Sequence, residues 1–268
     1  MSVAATAPAV PGARVIDAKG MTVMPGFIES HRHVIRGDAA QWMKTEAAPR
    51  MQEFLDAGFT TVFSAGDSLQ DIIELRQRLQ KGEVKGPRLI VSGRVQLARQ
   101  GGGTAGGAGG GAGRGRAGGP GGDPARFDVS RPPLRPTQAA AGIPAADTIA
   151  AVEALAKAGV DAIKTAIITT PGGPEKETLA LIVREGKRHS IPTVTHAVSV
   201  LDTLAAVDAG VASLVHTPHI GRLEEDAAAI QKIAKSGIPM MSTLGIFIPY
   251  FDADNKPHLR YPMMGPIT

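Results

Sequence analysis

Along most of this chain one hydrophobic pattern repeats. An amphipathic stretch closes on glycine or a short break, and a short apolar run rich in β-formers follows. The runs lie within Ala57–Phe63, Gly86–Val91, Ala158–Lys164, Ser190–His196, Ala209–His216 and Ser236–Ser242. They are apolar on both faces, as strands of a parallel sheet covered by helices must be. The stretches between them carry apolar residues at helical spacing. Ser68 is placed to cap a helix bearing Ile72, Ile73, Leu75 and Leu79. Ile149, Val152, Leu155 and Ala156 form one stripe within Thr148–Lys157, and Glu177–His189, Asp202–Ala209 and Glu224–Lys235 read likewise. Where glycine follows a helix, it suits the left-handed residue that stops it.

A further apolar run, Met21–Ile28, opens the series, with a strand expected at Val23–Ile28 interrupted by Pro25-Gly26. Seven β/α units in series predict an α/β fold with a parallel sheet. Their number favours a (β/α)8 TIM-type barrel over a doubly wound open sheet. Before the first unit, Arg14–Met24 reads as a short hairpin.

Two stretches depart from the pattern. Residues 98–140 form an insertion whose core, Gln100–Gly122, is mostly Gly with Ala and Arg. Such composition buries too little apolar surface to order itself. It follows the third strand, on the face where barrel active sites lie, so a flap beside the mouth competes with a tolerated surface insertion. Six Arg and two Asp fall between Arg99 and Arg135, so this loop alone accounts for the net charge of +4. The basic balance therefore does not signal a nucleic-acid-binding domain. Arg114-Gly-Arg116 lacks the interleaved aromatics of single-strand binders. The chain has no Cys, which excludes disulfides and thiolate metal sites. No apolar run approaches the roughly 20 residues that span a bilayer, and the N-terminus lacks a secretory pattern, so a cytoplasmic setting is expected.

The chemistry gathers at strand ends. His31 and His33 flank Arg32, and on a strand the two imidazoles point one way while Arg32 points the other. Lys164, His196 and His216 end later strands, and Ser242-Thr243 ends the seventh. In a barrel these ends converge on one mouth, so His31, His33, Lys164, His196 and His216 become one cluster suited to divalent metal. His219 is a candidate for supporting that cluster, His189 for a solvated helix end, and His258 has no informative context.

The strings Pro25-Gly-Phe-Ile-Glu-Ser-His-Arg-His33, Gly159-Val-Asp-Ala-Ile-Lys164, Val194-Thr-His-Ala197 and Leu214-Val-His216 resemble the motifs of the metal-dependent amidohydrolase superfamily. The likeness is to its imidazolonepropionase and Xaa-Pro dipeptidase-like branch. It covers almost the whole chain outside the Gly-rich insertion. The resemblance implies a TIM barrel (residues 25–268) preceded by a remnant of a small β-sandwich (residues 1–24). It implies that His31 and His33 hold one metal and His196 and His216 another. Lys164, carboxylated by carbon dioxide, would bridge them. Zinc is the expected metal, with Mn, Co, Ni and Fe as alternatives. The implied reaction is hydrolysis of a C–N bond in a small amide, dipeptide or cyclic amide by hydroxide from a metal-acidified water. No nucleic-acid or membrane partner is implied, and a homo-oligomer is compatible.

One family feature is missing from the pattern, an Asp ending an eighth strand, because Asp252 and Asp254 sit in turn-like sequence. The expectation is thus a barrel lacking its eighth strand and a C-terminally truncated chain that is weakly active or inactive. The alternatives are a hydrolase or deaminase of the same superfamily with a mononuclear site, the deaminase being disfavoured by Lys164, and a non-catalytic metal-binding descendant of such an enzyme.

Overall fold

The computed structural model describes residues 11–14, 16–99, 138–218, 220–221 and 223–243. The Gly/Arg-rich core of the insertion, His219, His258, Asp252 and Asp254 lie outside the described residues. Seven parallel strands form one sheet in chain order: β1 (Phe27–Arg32), β2 (Phe59–Ser64), β3 (Arg88–Arg94), β4 (Ala162–Ala166), β5 (Thr193–His196), β6 (Ser213–Val215) and β7 (Met240–Met241). Helices α1 (Ala39–Thr45) and α2 (Ala47–Asp56) follow β1, and α3 (Leu69–Gln80) follows β2. Then α4 (Ala145–Ala158), α5 (Glu175–Arg188), α6 (Val200–Ala209) and α7 (Ala227–Ser236) alternate with β4 to β7. Every neighbouring pair is parallel and sequential, the signature of a barrel rather than of a doubly wound sheet, whose strand order reverses.

Two apolar layers hold this sheet. The outer one packs the strands on the helices through Met51, Val62, Ile72, Leu75, Val91, Ile163, Leu179, Ile182 and Leu214. The inner one is small: Ala162, Val194 and Val215, with Phe63 and Met241 against them. This inner set fixes which residues face the barrel axis. Ala162 and Val194 lie two positions before Lys164 and His196, so strand alternation carries those two side chains to the mouth.

Several local expectations shift. The first strand begins at Phe27, not Val23, and its first ladder bond runs from Phe27 N–H to Gly58 C=O (2.8 Å). Pro25 just before it has no N–H to donate. The hairpin expected over Arg14–Met24 keeps its reversal, where Met21 N–H donates to Ala18 C=O (2.8 Å). Among the described residues it has no strand pairing, and Ile16, Met21, Val23 and Met24 are exposed. Ser68 precedes α3 but makes no side-chain cap, whereas Asp38, Ser199 and Asp226 cap α1, α6 and α7. Gly159, Gly210 and Gly237 end their helices in the left-handed region, as the pattern implied. Among the described residues no helix is long and apolar enough to cross a membrane.

Candidate functional site

The sheet curls until the ends of its first and sixth strands meet. His31 on β1 has its ring centroid 5.2 Å from that of His216, just past β6. His216 lies 4.4 Å from His196, which ends β5, and His31 lies 5.6 Å from His33. Arg32, between the two histidines, turns the other way and places its guanidinium 6.0 Å from the centre of the Phe54 ring on α2. The alternation read from His-x-His therefore holds.

Lys164 enters the same mouth from β4. It is only 5% exposed, and its Nζ has no hydrogen-bond partner among the described residues. Burial, helped by the nearby Arg94 cation, lowers its pKa to about 7 from the ordinary lysine value of 10.5. A buried amine without a partner is costly while charged, so it holds its proton less tightly. His31 Nδ1 is likewise buried and unpartnered among the described residues. Its pKa falls to about 2, first through burial, then through Lys164 and the neighbouring imidazoles. His33 is lowered by burial, with Asp67 opposing.

His216 reaches the mouth by an irregular route. Val215 packs inside with Ala162 and Val194, so alternation would turn residue 216 outward. Its φ of +75° breaks the alternation. A non-glycine residue in that region costs on the order of 1 to 3 kcal/mol. His216 N–H donates to Met241 C=O (2.8 Å), and Nδ1 lies 2.6 Å from Thr243 Oγ1.

Around the cluster runs a polar frame. The Asp67 carboxylate, just past β2, accepts from Val34 N–H (3.0 Å), Ile35 N–H (3.2 Å) and Ser64 Oγ (2.6 Å), which ties down the backbone right after His33. Buried Asp202 on α6 accepts from Thr169 N–H (2.8 Å), Thr169 Oγ1 (2.7 Å) and Ser199 Oγ (2.5 Å), joining the loops after β4 and β5. Arg94 ends β3 in register with Lys164. It lies across Gly66, where φ is +101° and any Cβ would fall 2.4 Å from Arg94 Nε. Asp67 and Arg94 were not singled out from the sequence, although a charged residue just past an apolar strand was the available signal.

All five sequence-selected residues, His31, His33, Lys164, His196 and His216, thus sit at one end of the sheet. Among the described residues no three His, Asp or Glu side chains group tightly enough to hold one ion. The imidazoles stand in series, His33 beside His31, His31 beside His216 and His216 beside His196, and Lys164 belongs to the same mouth. His189 is exposed at the end of α5, away from this cluster, as expected.

Residues 14–61 match the family model described as Amidohydrolase family. No curated protein matches the chain. Among solved structures, a prolidase complexed with N-methylphosphonate-L-proline superimposes with a TM-score of 0.58 at 21% identity, over 92% of this chain and 61% of that one. A Xaa-Pro dipeptidase with methionine bound in its active site gives 0.54 at 19% identity, over 91% and 60%. Molinate hydrolase gives 0.56 at 19%, over 87% and 54%. The likeness is one of fold, and the chain spans about 60% of the length of the first two.

Proposed function

We propose that this chain is a metal-dependent hydrolase of C–N bonds in small amides or dipeptides, a reading supported by the match of residues 14–61 to the Amidohydrolase family model and by a fold shared with a solved prolidase. The observation that carries this reading is Lys164. A lysine amine buried among imidazoles, with no hydrogen-bond partner among the described residues, is an unfavourable core residue, and it makes sense as a group awaiting a reaction. With its pKa near 7, Nζ offers a lone pair at neutral pH. That lone pair forms a bond to the carbon of carbon dioxide, one N–H proton leaves to solvent, and the product is a carbamate anion.

The donor set then suits two divalent ions. His31 and His33 would hold one, His196 and His216 the other, and the carbamate oxygens of Lys164 would be shared between them. Four neutral nitrogens and one anion favour zinc, with Mn, Co, Ni or Fe as alternatives. When bound, such ions polarise a scissile carbonyl and acidify a water. The chain's own residues supply the frame. Asp67 fixes the backbone beyond His33, and Asp202 fixes the loops after β4 and β5. Burial shifts His31, His33 and Lys164 toward their unprotonated, lone-pair-bearing forms. Asp67 is committed to its hydrogen bonds and is not a proton carrier in this scheme. A small-molecule substrate agrees with the names of the structural neighbours, a prolidase and a Xaa-Pro dipeptidase.

The test is elemental analysis of the purified chain grown with zinc and bicarbonate, wild type against Lys164→Ala. About two ions per chain, falling to a small fraction in the variant, is the expected result. Equal metal content in the two proteins would remove the bridging role of Lys164. Absence of metal from both would remove the hydrolase reading.

A further inference from the structure

We propose that Thr243 is a positioning residue that sets the tautomer of His216, keeping the ring proton on Nδ1 so that Nε2 carries the lone pair presented to a metal ion. The inference rests on the metal-site reading above and adds to it the residue that decides which nitrogen of His216 faces the ion.

The argument starts from one proton. Thr243 Oγ1 lies 2.6 Å from His216 Nδ1 and 2.8 Å from the carbonyl oxygen of Ser242. A hydroxyl has one hydrogen and two lone pairs, and a carbonyl oxygen can only accept. The Thr243 proton therefore goes to Ser242 C=O, since the reverse assignment would press two acceptors together. Toward His216 the hydroxyl oxygen is left as acceptor, and the ring must supply the N–H. A neutral imidazole protonated on Nδ1 has its lone pair on Nε2.

The backbone shows separately that the contact itself is built into the fold. His216 has φ +75° and Thr243 has φ +51°, two of the four non-glycine residues with positive φ among those described. For β-branched Thr243 this region is a true outlier. Both ends of a single hydrogen bond are thus held in uncommon conformations. They are registered by His216 N–H to Met241 C=O (2.8 Å) and Thr217 N–H to Ser242 C=O (3.3 Å). The left-handed turn at His216 brings its ring inward. The left-handed turn at Thr243 brings a hydroxyl to the nitrogen that must not face the ion. Ligating histidines commonly donate their second nitrogen to such an outer acceptor, which raises ligand basicity and fixes the ring.

The first measurement needs no metal. In the chelator-treated chain labelled with 15N-histidine, long-range proton–nitrogen spectra above the histidine titration range report the tautomer of each ring. The His216 signal is assigned by its loss in His216→Gln. The expected wild-type pattern is a proton on Nδ1. Thr243→Val should abolish that preference and Thr243→Ser should restore it, which mere filling of space would not do. In parallel, competition with a chromophoric chelator should show zinc affinity 10- to 100-fold weaker in Thr243→Val and near wild type in Thr243→Ser.

A wild-type His216 carrying its proton on Nε2 overturns the inference without any variant. So does zinc binding with unchanged affinity in Thr243→Val, which would leave the metal reading standing. A Thr243-dependent Nδ1–H tautomer in a chain that binds no zinc overturns the metal reading and the purpose assigned to Thr243 together.

Discussion

Replacing Lys164 with Met turns the cost of a buried amine into a measurable slope. In the unfolded chain this lysine titrates near 10.5, and in the folded, metal-free chain near 7. Between those values the unfolded chain binds the extra proton, so wild-type stability rises with pH across the window. At about 1.36 kcal/mol for each tenfold change in ionisation constant, the penalty is about 4 kcal/mol at pH 7. It falls to about 2 kcal/mol at pH 9 and to a few tenths near pH 10.5, where the unfolded lysine also loses its proton. Met keeps the length and the apolar stem of Lys and has nothing to titrate. Metal-stripped Lys164→Met should therefore be more stable than wild type by about 4 kcal/mol at and below pH 7, converging on it by pH 10.5. Urea denaturation of both proteins at half-unit steps from pH 7 to 10.5 in carbon-dioxide-free buffer measures the difference, in a window above the range where His31 and His33, which sense Lys164, take up protons. The thermal midpoint at pH 7 should rise by roughly 10 °C in a domain of this size. A stability difference that is flat with pH, whatever its sign, would refute the claim that Lys164 is buried and unpartnered.

Three further outcomes follow from the same contacts. Arg94→Gln removes the cation that helps depress Lys164, so in urea denaturation the Lys164→Met difference at pH 7 should be smaller in that background and should start to decline at a higher pH, still converging near pH 10.5. Asp202→Ala strands buried donors on Thr169 and Ser199, and denaturant titration should show a loss of about 3 kcal/mol or more, partly recovered in Asp202→Asn. Gly186→Ala in α5 would ordinarily gain up to ~1 kcal/mol of helix propensity. Here the new Cβ meets the backbone oxygen of Ile191 at 2.7 Å, and a net loss of about 1–2 kcal/mol by thermal melting is expected.

Most of the barrel was legible because a parallel strand is buried on both faces and its flanking helices are not, so the two periods separate cleanly. Val160–Lys164, Ile191–His196 and Val211–His216 announced β4, β5 and β6 in this way, and their last residues are the cluster. The start of β1 was not legible, because Val23 and Met24 look like strand by composition. Pairing is decided instead by which backbone N–H first finds a partner, and that is Phe27. His216 was read into the cluster from its strand end, but the backbone turn that delivers it there was not legible. Hydrophobic alternation places it outside, and only the register against Met241 and Thr243 requires a positive φ there. Asp67 and Arg94 escaped notice because their meaning lies in partners far along the chain, the backbone after β1 for one and Lys164 for the other.

The sheet lists its strands in the order of synthesis, and this has a consequence for how the mouth comes into being. Each strand can join as soon as the next helix is made, so growth is local and quick. The His31–His216 contact is different, since it joins the first strand to the region after the sixth and forms only when the curled sheet comes round on itself. Any ligand that grips both histidines is therefore a clasp across the whole fold, binding the closed form and not the splayed one. Saturation at 100 times its dissociation constant would deepen the closed state by about 2.7 kcal/mol. Resistance to proteolysis and slow unfolding of the entire barrel would then be set at its mouth.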